Sequence, residues 1–257
     1  MNATLTVMGS GTSMGVPTIG CDCEVCRSTD PRDRRTRPSI LVEYNGRFVL
    51  IDTTPDFREQ AIREKLRRLD AVIYTHTHAD HILGIDDLRP LSYQHKPGKL
   101  PLYARPEAIQ FLEQMFGYIF EPEYKFGGLA QVQLHPINGP IALFGAEFRP
   151  VPVIHGETEI YGFRFGSAAY LTDHSEIPEA SMAQLRDLDI LFLDALRHKP
   201  HPTHSTVENS LRIVEELKPK RAFFTHICHD LGHSATDAVL PPNVRLSYDG
   251  MKLQFEI

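Results

Sequence analysis

The sequence predicts an α/β fold in which two β-sheets pack face to face between outer layers of helices. Two observations predict it. Strands come first as hairpins and only later mix with helices, which fits a two-sheet sandwich better than a Rossmann-type sheet. The histidines and aspartates best suited to hold metal each follow a short apolar run, which places them at one rim of such a sandwich. With 257 residues, 42% hydrophobic and 23% charged, the chain is large enough for a buried core. Residues 1–257 read as a single domain.

The elements follow in order. Thr4 to Met8 is an apolar first strand that runs into the glycine turn Gly9-Ser10-Gly11-Thr12. Ile40–Tyr44 and Phe48–Asp52 flank Asn45-Gly46, the strongest short hairpin signal. Pro55 stands where a helix would begin, and Phe57, Ala61, Ile62 and Leu66 follow at helical spacing. Ala71–Tyr74 is a short apolar strand. Residues 105–118 read as a helix with Ile109, Leu112 and Phe116 on one face. Val132–Leu134, Ile141–Phe144 and Phe148–Val153 read as strands, and Tyr161–Phe165 pairs with Ala169–Leu171 across a Gly-Ser turn. Ile190–Leu193, a helix over Val207–Leu217, Ala222–Thr225 and Lys252–Ile257 complete the chain. There is no internal repeat, low-complexity segment or linker.

Bulk properties exclude some classes. No apolar run approaches the roughly 20 residues needed to span a bilayer. Met1-Asn2-Ala3-Thr4-Leu5 lacks the basic region and apolar stretch of a secretory signal, so a cytoplasmic location is expected. A net charge of −6 argues against broad nucleic-acid binding. It leaves room for a local basic patch, and Arg27, Arg32, Arg34, Arg35 and Arg37 crowd one stretch. That stretch reads first as a solvated loop and second as a loop facing phosphate.

The centre of the chemistry is His76-Thr77-His78-Ala79-Asp80-His81, directly after an apolar strand. Imidazole and carboxylate are the usual ligands of zinc, iron and manganese. Four candidate ligands in so short a run are hard to aim at one ion, but a sharp turn can divide them between two. As pure structure the cluster would be costly, since each imidazole would need its own partner.

His-x-His-x-Asp-His resembles the signature of the metallo-β-lactamase superfamily, and the flanking residues match its other motifs in order. Asp52 ends an early strand, His155 follows Val151-Pro152-Val153-Ile154, Asp173 follows Tyr170-Leu171-Thr172, and His226 follows Phe223-Phe224-Thr225. The resemblance implies a four-layer αββα sandwich and a two-metal site. His76, His78 and His155 would hold one divalent metal, Asp80, His81 and His226 the other, with Asp173 between them. Asp52 would orient a ligand. Manganese, zinc or iron would suit this set. The glutamate that redox di-iron relatives place at the second histidine position is missing, which points away from oxygen chemistry.

A second cluster is Cys21-Asp22-Cys23-Glu24-Val25-Cys26. In a cytosolic chain this spacing suggests metal rather than disulfides. Three thiolates so close make a partial cage for a tetrahedral structural zinc. His229, in Thr225-His226-Ile227-Cys228-His229, is the candidate fourth ligand, with Cys228 the alternative. The zinc-binding loop would span about residues 20–38. Together with Gly9-Ser10-Gly11-Thr12-Ser13-Met14-Gly15-Val16-Pro17, this triad resembles the PhnP group of phosphodiesterases. That group is similar to tRNase Z in its core, and the resemblance runs from Thr4 to Met251.

What the resemblance implies is hydrolysis of a small, perhaps cyclic phosphodiester of the ribosyl 1,2-cyclic phosphate kind. A water held by both metals loses its proton and attacks phosphorus in line. Asp80 and Asp173 belong to the catalytic set, and His204, in Pro202-Thr203-His204-Ser205, is the candidate general acid for the leaving alkoxide. His198 and His201 lie close enough to compete with it. His95, His135, His174 and His233 read as surface residues. The expected partner is a small phosphodiester, not a membrane and not nucleic acid, and a homodimer fits what occurs among relatives. A tRNase Z-like endonuclease is the second reading, though the acidic charge and the lack of a Gly/Pro-rich arm oppose it. Hydrolysis of a thioester, lactone or lactam is the third, and a catalytically silent zinc-binding interaction protein is the last.

Overall fold

The computed structural model describes residues 1–121 and 128–257. Its first half builds one sheet and an outer helical layer. The strands are β1 (Asn2–Gly9), β2 (Ser39–Tyr44), β3 (Arg47–Ile51), β4 (Ala71–Ile73), β5 (Leu100–Ala104) and β6 (Val132–Pro136). The helices are α1 (Phe57–Arg63), α2 (Ala79–Ile82), α3 (Arg89–Ser92), α4 (Pro106–Met115) and α5 (Gly117–Phe120). The second half builds another sheet from β7 (Ile141–Leu143), β8 (Ala146–His155), β9 (Thr158–Phe165), β10 (Ala168–Leu171), β11 (Ile190–Asp194), β12 (Arg221–Thr225) and β13 (Val244–Leu246). Its helices are α6 (Glu179–Met182), α7 (Val207–Leu217) and α8 (His233–Asp237), and β14 (Lys252–Glu256) returns to the first sheet. The strand orders are β14-β1-β2-β3-β4-β5-β6 and β13-β12-β11-β10-β9-β8-β7.

Side-chain alternation produces the layers. In a strand, successive side chains point to opposite faces. Leu5, Val7, Ile40, Val42, Val49 and Ile51 face inward and pack against Phe148, Phe163, Phe165, Tyr170 and Phe192 of the other sheet. Their neighbours Leu41, Leu50 and Val72 face outward, onto Phe57, Ile82, Leu88 and Leu112. Likewise Leu171, Leu191, Leu193 and Phe224 face Met182, Val207, Val214 and Leu217. The result is the αββα sandwich that the sequence predicts.

Local signals explain most of the elements. Asn45 and Gly46 have φ of 50° and 64°, the two left-handed positions of the tight turn that joins β2 to β3. Thr206 caps α7 by accepting from the Asn209 N–H, at 3.1 Å. Pro150 and Pro152 sit inside β8 without cost. Beyond Phe148 that strand pairs with β9, and on its other side it is bridged at Ile154, to Glu176, so the missing N–H groups of Pro150 and Pro152 leave no ladder bond unmade.

Some expectations need correction. The first helix stops at Arg63, and Ile62 is exposed rather than buried against the sheet. Phe144 is not strand but a left-handed turn residue before Gly145. β5 and β13 carry strand structure in segments where the sequence analysis assigns none. The expected helix over 105–118 breaks at Phe116 into α4 and α5. Among the described residues, no helix is long and apolar enough to cross a membrane.

The pairing also sets where chemistry can sit. β3 to β6 are parallel, as are β10 to β13. Their carboxyl ends carry Asp52, the His76–His81 run, Asp173, Asp194 and His226. Open α/β sheets bind ligands at that edge.

Candidate metal centre

Three strand-end residues turn sharply into the site. Asp52, Asp173 and His226 have φ of 68°, 55° and 56°. Aspartate and histidine tolerate this left-handed region better than most residues, but each still costs on the order of 1–3 kcal/mol. The turn aims each side chain across the rim instead of along its own sheet.

Two groups of donors result. Ligand atoms of His76, His78 and His155 lie within 4.8 Å of one another, as do those of Asp80, His81, Asp173 and His226. His76 and His155 are buried and His78 is exposed, whereas the second group is buried throughout. In the second group, His81 Nε2 is 3.3 Å from both Asp80 and Asp173, and His226 Nε2 is 3.2 Å from Asp173 Oδ1. Asp173 faces the His155 side as well, sharing a third set with His155 and His204.

The far side of each ring is held by other residues. His81 Nδ1 lies 2.7 Å from Asp52 Oδ2, and the Asp52 carboxylate also accepts from the Thr75 N–H and hydroxyl, both at 2.8 Å. His155 Nδ1 lies 2.7 Å from the Thr203 carbonyl, which requires a proton on Nδ1 and leaves Nε2 with its lone pair toward His78. Such fixing of the tautomer is what a metal-ligating imidazole receives in proteins. Nε2 of His76, His81 and His226, with Asp80 Oδ2, are buried without a hydrogen-bond partner among the described residues. Leaving such atoms unpaired costs roughly 1–3 kcal/mol each. Their convergence beside carboxylates fits divalent metal ions.

Electrostatics follow the same division. Burial pulls His76 well below the usual imidazole value, with His81 adding to it, and burial takes His155 down to about 4. For His81 and His226, burial acts in the same sense but loses to the carboxylates. Asp173, Asp80 and Asp52 raise His81 well above its usual value, and Asp173 and Asp80 raise His226 to about 9. Against the desolvation that opposes its charge, Asp173 is held well below the usual carboxylate range by His226 and His81. A cation entering this group would displace those protons.

His204 reaches the same cavity. Its Nδ1 is 2.6 Å from Oδ2 of Asp194, a fully buried residue at the end of β11. Its ring stacks on His226 with centroids 4.5 Å apart. His198 instead pairs with exposed Glu208, and His201 Nδ1 lies 3.1 Å from the Thr203 hydroxyl. Neither lines the cavity, which measures about 410 Å³ and is bordered by Ser13, His78, His155, Glu157, Thr158 and His204, among others. Sequence reasoning missed Asp194. Its signal was available: like Asp52 and Asp173 it follows an apolar strand.

The cysteine cluster also forms. Nδ1 of His229 lies 3.2 Å from Cys21 Sγ and 3.5 Å from Cys23 and Cys26 Sγ. Cys228 points elsewhere, its sulfur accepting from the Asp230 N–H. Three thiols around one imidazole nitrogen fit a tetrahedral metal. The Cys26 N–H donates to Cys23 Sγ and lowers that thiol to about 7, while burial raises Cys26 to about 11.

Two other expectations fail. His174 and His233 are not surface residues but are 0% and 1% exposed. The arginine stretch is neither wholly solvated nor turned toward the cavity. Arg27, Arg32 and Arg37 pair with Asp22, Asp30 and Asp56, Arg34 donates to the Ser28 carbonyl, and Arg35 is buried.

Comparison with known proteins agrees with this geometry. Residues 47–227 match the model of the Beta-lactamase superfamily domain. The crystal structure of a diphosphatase from the PhnP family superposes with a TM-score of 0.94 at 62% identity, covering 99% of this chain and 98% of that one. An octanoyltransferase of Porphyromonas gingivalis is 34% identical over 96% of this chain and 50% of its own length. A ribonuclease Z of Bradyrhizobium diazoefficiens is 29% identical over 54% of this chain and 47% of its own length. The chain thus spans about half the length of these curated relatives.

Proposed function

The chain belongs to the PhnP family of the β-lactamase superfamily, and on that premise we propose that it is a metal-dependent hydrolase of small phosphodiesters. The observation that carries the reading is the His204–Asp194 pair poised over the same cavity as the two donor groups. Ligand groups alone would suit many bonds. A proton donor beside them suits one whose leaving group is a poor alkoxide.

His76, His78 and His155 would hold one divalent ion and Asp80, His81 and His226 a second, with Asp173 reaching both. Manganese and zinc both suit these donors. Two such ions supply an acidified water and offset charge growing on the phosphoryl oxygens. The chain's own residues do the rest. Asp52 keeps the Nδ1 proton of His81 and so aims Nε2 inward, and the Thr203 carbonyl does the same for His155. Asp194 orients His204 through Nδ1, so that Nε2 can deliver a proton to the departing oxygen; in the protein alone burial takes this imidazole down to about 4, against the pull of Asp173 and Asp80. Cys21, Cys23, Cys26 and His229 would hold a separate structural zinc.

The PhnP-family relative is described as a diphosphatase. A substituted diphosphate undergoes the same in-line displacement at phosphorus as a cyclic ribosyl phosphate, but it is an anhydride whose phosphate leaving group needs no proton donor, so it is the second reading for this site. The cavity volume is that of a small-molecule site. Its described lining residues include no lysine or arginine, which favours a small substrate over an RNA.

The test joins metal analysis of the purified chain to hydrolysis of bis(p-nitrophenyl) phosphate, a cyclic ribosyl phosphate and a sugar diphosphate, with and without manganese. Manganese-stimulated turnover of the diesters is expected, and turnover of the sugar diphosphate alone would move the reading to the anhydride bond. A fully metallated chain that cleaves none would overturn the reading and move it to thioesters and lactones.

A further inference from the structure

Arg35 stands apart from the other arginines of its stretch. Its side chain is 0% exposed. Nη1 donates to the Cys228 carbonyl at 2.9 Å, and Nη2 donates to the Leu231 carbonyl at 2.7 Å and to Asp33 Oδ1 at 2.8 Å. Asp33 Oδ1 also accepts from the His233 N–H at 2.8 Å. The guanidinium and its carboxylate therefore grip the 228–233 segment from both ends. His229, the imidazole that faces the three thiols, sits inside that grip.

The backbone of Arg35 grips a second segment. Its N–H and carbonyl pair with Val16 at 2.8 and 2.9 Å. Gly11 packs so tightly on it that an added Cβ would stand 2.8 Å from the Arg35 carbonyl oxygen and 2.9 Å from its Cβ. Gly11 bridges to Ile227, whose N–H donates to the Ser10 carbonyl at 3.0 Å. Three stretches of chain therefore cross at Arg35. One brings Ser13 to the cavity, one brings the cysteines, and one brings His226 and His229.

A buried ion pair is a poor investment in stability alone, because well-packed apolar residues of the same volume usually serve as well. What a guanidinium adds is a rigid fork that fixes three acceptors at set angles. We propose that Arg35 is a positioning residue for both metal clusters: it seats His229 over the thiols and, through the same short segment, aims His226 at Asp80 and Asp173. This rests on the reading that both clusters bind metal, but not on the bond that is hydrolysed.

The test uses the full chain and needs no substrate. Arg35→Lys replaces the fork with a single ammonium that cannot reach all three acceptors. Gly11→Ala leaves every side-chain donor in place but pushes the Arg35 backbone away. Cobalt(II) bound at the cysteine cluster is read by its thiolate-to-cobalt absorption, and manganese at the histidine–aspartate clusters by titration. In Arg35→Lys, cobalt should bind about 10- to 100-fold more weakly with an altered absorption. The manganese position that includes His226 should weaken with it, while the His76–His78–His155 position holds. Gly11→Ala should shift both readouts in the same direction, and it carries the test if Arg35→Lys does not fold. A folded Arg35→Lys chain with the parent's absorption and manganese affinities would overturn the proposal. Equal weakening at every metal position would also overturn it, since that marks general loss of stability. Absence of hydrolysis by the parent chain would sink the phosphodiesterase reading and leave these readouts untouched.

Discussion

Nδ1 of His204 lies 2.6 Å from Oδ2 of Asp194, and the same imidazole stacks on the ring of His226. The proposed proton donor thus sits against a candidate metal ligand, and its own distance from His155 and Asp173 would also permit ligation. His204→Ala separates the two roles. We expect kcat on an alkyl diester to fall about 10²- to 10⁴-fold, the usual share of general acid catalysis, with metal content unchanged. The loss should be smaller on a p-nitrophenyl diester, whose leaving group needs no proton. Metal lost from the variant would make His204 a ligand instead.

Asp194→Asn should imitate His204→Ala more closely than any other change at the site. The amide can still face Nδ1, but it can also donate to that nitrogen and so admit the wrong tautomer. Steady-state kinetics with both leaving groups reads this. An Asp194→Asn enzyme with parental kcat on the alkyl diester would remove Asp194 from the mechanism.

Asp52 accepts from His81 and twice from Thr75, and touches neither the cavity nor the other candidate ligands. Its loss should act through metal affinity. Asp52→Ala is expected to need about 10- to 100-fold more manganese for half-maximal activity. Saturating manganese should restore kcat. If excess metal restores nothing, the carboxylate does more than hold a ring.

Asp80→Ala and Cys23→Ser should differ in kind. The first removes a buried carboxylate from the Asp80–His81–Asp173–His226 group, so metal there and nearly all turnover should go while zinc at the cysteines stays. The second should lower zinc content and the thermal midpoint more than turnover per folded chain. Metal analysis at matched folded fraction distinguishes them. Equal effects of both changes on turnover would merge the two sites into one.

Zinc uptake by the cysteine cluster should strengthen as pH rises. Metal binds thiolate, so a thiol must first give up its proton. Cys23 is lowered to about 7 by the Cys26 N–H, and Cys26 is raised to about 11 by burial. Between these values Cys26 holds a proton that binding releases, and that proton alone makes affinity rise about tenfold per pH unit. Below about 7 the proton on Cys23 adds to the slope. Competition titrations against a chelator at several pH values measure it, and a flat profile across neutrality would contradict the assignment of Cys26 as a ligand.

The histidine run was legible because density itself is a signal: four candidate ligands in one short loop have few bland explanations. The cysteine triad was legible for the same reason. α7 was legible to the residue because a capping threonine and an apolar stripe agree. β5 was not, since Pro101 and the exposed Lys96–Lys99 stretch before it read as loop. The parallel partners that make it a strand are distant in sequence. His174 and His233 were misplaced because burial of a lone polar residue depends on what packs over it. Arg35 was hidden among four arginines that do lie outward or half-outward. Nothing in a run of like residues says which one turns in.

The donor groups also have a consequence for how the chain is made. His76, His78, Asp80 and His81 are synthesised before β6, but each group also needs donors that follow that strand: His155 for one, Asp173 and His226 for the other. A nascent chain that has just finished β6 therefore holds only scattered imidazoles and a carboxylate, and competes poorly for ions in its surroundings. Metallation of the kind proposed would then be a late event, timed by the emergence of β12, and a chain truncated before that strand would remain without its second ion however much metal is supplied.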